Sequence, residues 1–125
     1  MTPLQVLEAA EAALKAGLVR TEVLADGVTT TPSLPYVDLS VSTAFDRSML
    51  SGDPEHDRVT LRARSVGGSR RSCLIVAQNC RRILHGLTLD RGPLLFDFAT
   101  EPLDEDDPGD RRCSSVAEYV AHVDP

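Results

Sequence analysis

The sequence predicts an α+β fold: a mainly antiparallel sheet of four to five strands with two helices packed on one face. Three observations lead there. Two segments, one N-terminal and one mid-chain, repeat apolar residues at helical spacing. Others alternate apolar and polar residues with the period of a half-covered strand. The order is helix, three strands, helix, then two or three strands, which is not the strand–helix alternation of a parallel sheet.

The first helix starts at Thr2-Pro3-Leu4-Gln5. Thr2 caps, Pro3 suits the first turn, and Gln5 completes a capping box. Leu4, Leu7, Ala10, Leu14 and Leu18 form its apolar stripe, and Gly17 marks its end. Ala9, Ala12, Ala13 and Ala16 make a smooth flank open to close backbone approach or simply to high helix propensity. Val19 to Ala25 reads as a strand ended by Asp26-Gly27, and Thr29 to Pro35 as a Thr/Pro-rich loop. Tyr36 to Ser42 alternates strictly, with Val37, Leu39 and Val41 on one face. Phe45 to Asp57, with Ser51-Gly52-Asp53-Pro54, reads as a turn or long hairpin loop.

Arg58 to Val66 is the clearest strand: Val59, Leu61 and Ala63 face one way, Arg58, Thr60, Arg62 and Arg64 the other. Gly67-Gly68-Ser69 breaks it, and a second helix runs to about Leu84 with Cys73, Val76, Ala77, Cys80, Ile83 and Leu84 on one arc. Ile75 is the exception, projecting among Arg71, Asn79 and Arg82. A lone exposed apolar residue is common, but one ringed by arginines also has the composition of a subunit contact. Gly86 ends the helix. Leu87–Leu89 and Leu94–Ala99 read as short strands around Asp90-Arg91-Gly92-Pro93, followed by an acidic loop at 101–111. Arg112 to Val123 reads as the closing strand, with Cys113, Ala117, Tyr119, Ala121 and Val123 on one parity.

With 125 residues, no internal repeat and no linker, a single domain spanning 1–125 is expected. An apolar fraction of 42% fits a soluble globular chain, and no apolar run reaches the roughly 20 residues of a membrane span. A basic n-region leading into an apolar h-region is lacking, so synthesis in a cytoplasm without secretion is expected. The net charge of -6 is local. Asp104, Glu105, Asp106, Asp107 and Asp110 account for five acids, and without them the chain is near neutral. That balance, with no Trp, argues against a general nucleic-acid binder. Three cysteines without a C-x-x-C, Cys73 and Cys80 being two turns apart on one helix, argue against a disulfide framework.

The candidate chemistries fail on specifics, and no catalytic residue, metal or cofactor is expected. Asp104 to Gly109 has the opening of an EF-hand loop, but Pro108 stands at position five and Ser115 at position twelve, where oxygen ligands are required. Gly67-Gly68-Ser69 before Arg70 and Arg71 suits an anion at a helix N-terminus, yet it matches neither phosphate-loop pattern and serves equally as a turn with Ser69 as cap. His56, His85 and His122 have no zinc spacing, and G-x-S-x-G is absent. What remains is the arginine set. Arg62 and Arg64 share a strand face, and Arg81 and Arg82 share a helix. They form either a solvated surface or, against the acidic loop of a neighbouring copy, a head-to-tail contact of the kind that closes into rings.

The layout resembles the tail terminator and tail-completion proteins of long-tailed bacteriophages. The likeness lies in the N-terminal helix, the strand and the loop ending Leu34-Pro35-Tyr36-Val37, then Val59-Thr60-Leu61-Arg62-Ala63-Arg64 and the Gly67-Gly68 turn. It continues through Cys73-Leu74-Ile75-Val76-Ala77-Gln78-Asn79-Cys80, Arg82-Ile83-Leu84-His85-Gly86-Leu87-Thr88-Leu89, the late acidic loop and the closing strand. The resemblance implies a non-enzymatic virion protein, assembled in the host cytoplasm. It would form a ring, usually a hexamer, that caps the tail tube, stops its polymerisation and joins tail to head. Its partners would be copies of itself, the tail tube protein and the head-completion or stopper protein of the neck, with DNA passing through the lumen without specific binding and no membrane involved. The stopper proteins themselves are similar in size and role and form the alternative, and a small cytoplasmic anion-binding module using Gly67 to Arg71 is a second one. The expected subunit-interface residues are Arg71, Ile75, Arg81 and Arg82, with Arg62, Arg64 and the acidic loop (Asp104, Glu105, Asp106, Asp107, Asp110) as further contributors.

Overall fold

The computed structural model describes residues 2–25, 33–45, 57–90, 92–107 and 110–123. The expected Asp26-Gly27 turn, most of the Thr/Pro-rich loop, the Ser51–Pro54 turn and His56 lie outside these residues. Helix α1 spans Pro3–Gly17. Thr2 accepts from the Gln5 amide (3.2 Å) while the Gln5 side chain accepts from the Thr2 amide (2.7 Å), which closes the capping box. Strands β1 (Glu22–Ala25), β2 (Tyr36–Phe45) and β3 (Asp57–Gly67) follow, then α2 (Arg70–Leu84). Strands β4 (Thr88–Leu89) and β5 (Gly92–Pro93) form a separate two-stranded piece. The chain ends with β6 (Leu95–Ala99), β7 (Leu103–Asp107) and β8 (Asp110–Val123).

The main sheet has six strands, ordered β1-β2-β3-β8-β6 with β7 also paired to β8. It is larger than expected because the long β8 holds two successive partners on one side. These are β6 along its second half and β7 along its first. It is mixed because β1 runs parallel to β2, from Glu22↔Tyr36 to Ala25↔Leu39. The remaining pairs are antiparallel. Strand β1 also starts later than the apolar pattern suggests: Val19 is exposed, and Arg20 turns the chain with φ +56°.

Within 101–111, the stretch expected as an acidic loop, the described residues are mostly strand. Residues 103–107 are strand β7, and the register places Glu105 opposite Arg112 and Asp106 opposite Arg111. Counting the acids alone missed their partners a few residues on.

Both helices pack on one face of the sheet. The core joins Val6, Leu7, Ala10 and Leu14 of α1 to Val37, Leu39, Val59, Leu61, Ala63, Ala117, Tyr119 and Ala121 of the sheet and Val76, Cys80 and Leu84 of α2. Alternation on β2, β3 and β8 and the arc on α2 therefore read as expected. The α1 stripe is rotated from expectation: Val6 is buried and Leu4 is exposed. Gly17 is the last helical residue, and a Cβ there would lie 2.6 Å from Ile83 Cδ1. It serves the α1–α2 approach, and the chain leaves through an extended Leu18 rather than a left-handed glycine. The positive φ expected of a stop is found at Gly86, just past α2.

Candidate functional site

Residue 75 sits at the centre of the most informative surface. Ile75 is 48% exposed and Leu74 beside it 46%, on a helix whose opposite side is buried. Ser69 caps α2 by accepting from the Ser72 amide. This starts the helix at the end of the sheet where β3 finishes and β1 begins. The α1–β1 turn and Pro35, after a cis Leu34–Pro35 bond, come to the same end. Between them and α2 lies an open groove of about 360 Å³, lined by Val19, Arg20, Pro35, Arg71, Ile75 and Asn79 among others. Two guanidinium groups and an exposed aliphatic residue thus share one concavity. Arg71, Ile75 and Asn79 were legible from the helical wheel. Arg20 was not, because Val19–Thr21 reads as strand and nothing in the sequence marks its left-handed turn.

The other expected interface residues are dispersed. Arg82 is exposed further along α2. Arg81 is engaged within the chain, its guanidinium 3.9 Å from the Phe96 ring centroid, and the Phe96 amide donates to His85 Nδ1 (3.1 Å). Together these tie the end of α2 to β6. Arg62 lies on the opposite face of the sheet, donating to Glu118 Oε1 at 2.8 Å. Arg64 is half-buried on that same face. The arginines therefore form at least two separate surfaces with the sheet between them.

On that second face Tyr36 and Val66 are buried. They stand opposite each other in register, and Arg112 donates to the Tyr36 hydroxyl (3.4 Å). Of the acids, Asp104 is exposed on β7, and Asp107 stands opposite Asp110 in the ladder.

The chemical candidates are placed as follows. Gly67 is crowded by α2: a Cβ there would lie 2.7 Å from the Cys73 backbone nitrogen. Its role is close strand–helix packing, which needs no bound anion. The acidic residues lie on a paired strand rather than a curled loop, so the EF-hand comparison ends there. Among the described residues no three His, Cys, Asp or Glu side chains come together as a metal-binding group. Cys73 and Cys113, distant in sequence, meet beneath the start of α2, where Cys73 donates to the Ser65 carbonyl (3.5 Å). Burial and the neighbouring Cys113 push the Cys73 thiol up to about 12, and burial pushes Cys80 up to about 11. Both are held as neutral thiols rather than activated as nucleophiles.

No family model matches the chain, and neither does any curated protein. Eleven chains of solved structures do match. Among them is a chain of the "Virion of native gene transfer agent (GTA) particle", with a TM-score of 0.55 and 18% identity, the alignment covering 98% of this chain and 92% of that one. The likeness is one of fold, end to end: this α+β architecture is one that is used inside a virion particle.

Proposed function

We propose that this chain is a structural subunit of a phage-like virion, acting as a tail terminator. Copies form a ring, a hexamer in this reading, that caps the tail tube, ends its polymerisation and offers a docking surface to the stopper protein of the neck. It has no catalytic role and needs no cofactor. The observation that carries the reading is the near-complete mutual coverage with the gene transfer agent virion chain. A match spanning 98% and 92% of the two chains runs along their length rather than over a shared motif. Two features of the surface support it. Leu74 and Ile75 are exposed beside arginines, the mixture found at protein interfaces. Outside the acidic strand the chain is near neutral, as suits a conduit that DNA must pass without sticking.

The test is tube capping. Tail tube protein from the same genome is polymerised with and without this chain and imaged by negative stain. Short tubes carrying a ring at one end are the expected result. Tubes of unchanged length with bare ends would remove the terminator reading.

A further inference from the structure

The fold leaves an uncovered stripe on each of its two layers. On the helix layer the stripe runs along α2. Arg71, Leu74, Ile75, Gln78 and Arg82 fall within about 100° of one another around the helix, opposite the buried Cys73, Val76, Cys80 and Leu84. All five are exposed. Two aliphatic side chains thus lie between arginines, on a helix with four arginines and no acid. Neither Arg71 nor Arg82 has an ion-pair partner among the described residues.

The second stripe is on the back of the sheet, the face away from both helices. Tyr119 of β8 is buried in the core, so Glu118 and Val120 beside it point to the back. The register carries that face to β6, where Leu95 stands opposite Val120 and Phe98 opposite Glu118. Leu95 and Phe98 are each 48% exposed, and Val116 and Val120 are half-buried next to them. From Leu95 to Glu101 the chain carries Asp97 and Glu101 and no cation. Asp97 comes to 3.9 Å from Arg58, beyond hydrogen-bond distance, and Glu101 has no ion-pair partner among the described residues.

The two stripes match. Each has two large apolar side chains, half exposed, at its centre. One is flanked by cations and the other by acids. Arg71 to Arg82 is about 16 Å along a helix. Asp97 to Glu101 is up to about 13 Å in extended chain, a difference that arginine side chains can span. Because the stripes lie on opposite layers, one molecule cannot join its own. A contact between them is head-to-tail: each copy gives α2 to one neighbour and the sheet back to the other, the arrangement that closes into rings.

We propose that α2 of one copy packs on the β6–β8 back of the next, Leu74 and Ile75 against Leu95 and Phe98, with Arg71 and Arg82 meeting Asp97 and Glu101. The sheet then has helices on both faces, its own on one and a neighbour's on the other. This rests on the ring reading above and specifies its contact. The occupant is a second copy, because the chain itself carries the charge complementary to each stripe.

Two experiments test it on the full chain, with rings measured by sedimentation, alone and on tube ends. In the first, Arg71→Glu with Arg82→Glu reverses the helix stripe, and Asp97→Arg with Glu101→Arg reverses the sheet stripe. Each set should weaken ring formation by about tenfold or more, and the chain carrying both sets should recover it. All four side chains are exposed, and circular dichroism checks that each variant is folded. In the second, Ile75→Cys and Phe98→Cys are made in separate preparations and oxidised, apart and mixed; the native cysteines are buried. A cross-linked dimer is expected only in the mixture. Rings that survive either reversal, no dimer in the mixture, or dimers of either variant with itself would overturn the contact and leave the ring reading standing. Reversals that spare the ring and abolish tube capping would assign the stripes to the tube protein and overturn it as well. Wild-type chain that forms no ring, alone or on tubes, would overturn both.

Discussion

The two halves of β8 share one backbone ladder and have opposite surroundings. From Ala117 to Ala121 the strand lies between β3 and β6, its Ala117, Tyr119 and Ala121 buried under the helices. From Asp110 to Arg112 the same strand has β7 alone, with acidic residues along the ladder. The first half holds the subunit together. The second lies past the last rung of β3. Gly67↔Cys113 is the boundary between the two halves.

The sharpest way to break this comparison is to cut a side chain from each half. Leu61 is fully buried and stands opposite Tyr119. Leu61→Ala should cost about 2–5 kcal/mol in urea unfolding, for the lost burial and the cavity it leaves. Asp104→Ala on β7, where the side chain is exposed, should change the same measurement by less than about 0.5 kcal/mol, as surface substitutions do. Equal costs would mean that β7 is part of the core after all.

The boundary comes next. Gly67→Ala would set its methyl 2.7 Å from backbone nitrogen and should cost about 1–3 kcal/mol. Gly17→Ala meets only the flexible end of Ile83 and gains helix propensity, so it should fall within about 1 kcal/mol of wild type. Thermal melts of the two variants would rank them.

Within the buried half, the Tyr119 hydroxyl has no hydrogen-bond partner among the described residues, and the ring packs edge-on to Phe96 at 5.6 Å. Tyr119→Phe keeps the ring and removes the unpaired hydroxyl. Stability should hold or rise by about 1 kcal/mol, and a loss of that size would contradict the account.

Alkaline pH tests the burial of α2 against the sheet. Burial raises the thiol of Cys73 from 9.0 to about 12 and that of Cys80 to about 11, so the folded state keeps both protons where the unfolded chain releases them. Their contribution is complete below pH 9 and is lost as pH rises from there towards about 12. Cys73→Ala should flatten that decline in a pH series of unfolding midpoints. An unchanged slope would rule out the thiol as its source.

The smallest effect belongs to Arg62, which bridges to Glu118 across the exposed face. Arg62→Ala should cost at most about 1 kcal/mol. Because its partner is within the chain, charge reversal at Arg62 should disturb ring assembly less than reversal at Arg71.

The same division explains what was legible in the sequence. Capping at Thr2 and Ser69, the α2 arc and the alternation of β2, β3 and β8 follow from local propensity and burial, and all of these appear as read. The parallel β1, the β7 ladder and the groove depend on residues distant in the chain. The acids of β7 look like a solvated loop until Arg111 and Arg112 are placed opposite them. Arg20 joins Arg71 only because a left-handed turn brings the end of α1 beside the start of α2. Ile75 was visible because it violates its own helix's pattern, while Leu74 beside it is exposed at the helix margin and escaped notice.

The most direct test of the central claim is the mass of the chain by light scattering, alone and then mixed with its tail tube protein. The account predicts a closed ring near a hexamer, in solution or on tube ends. A strict monomer that ignores tubes would contradict it.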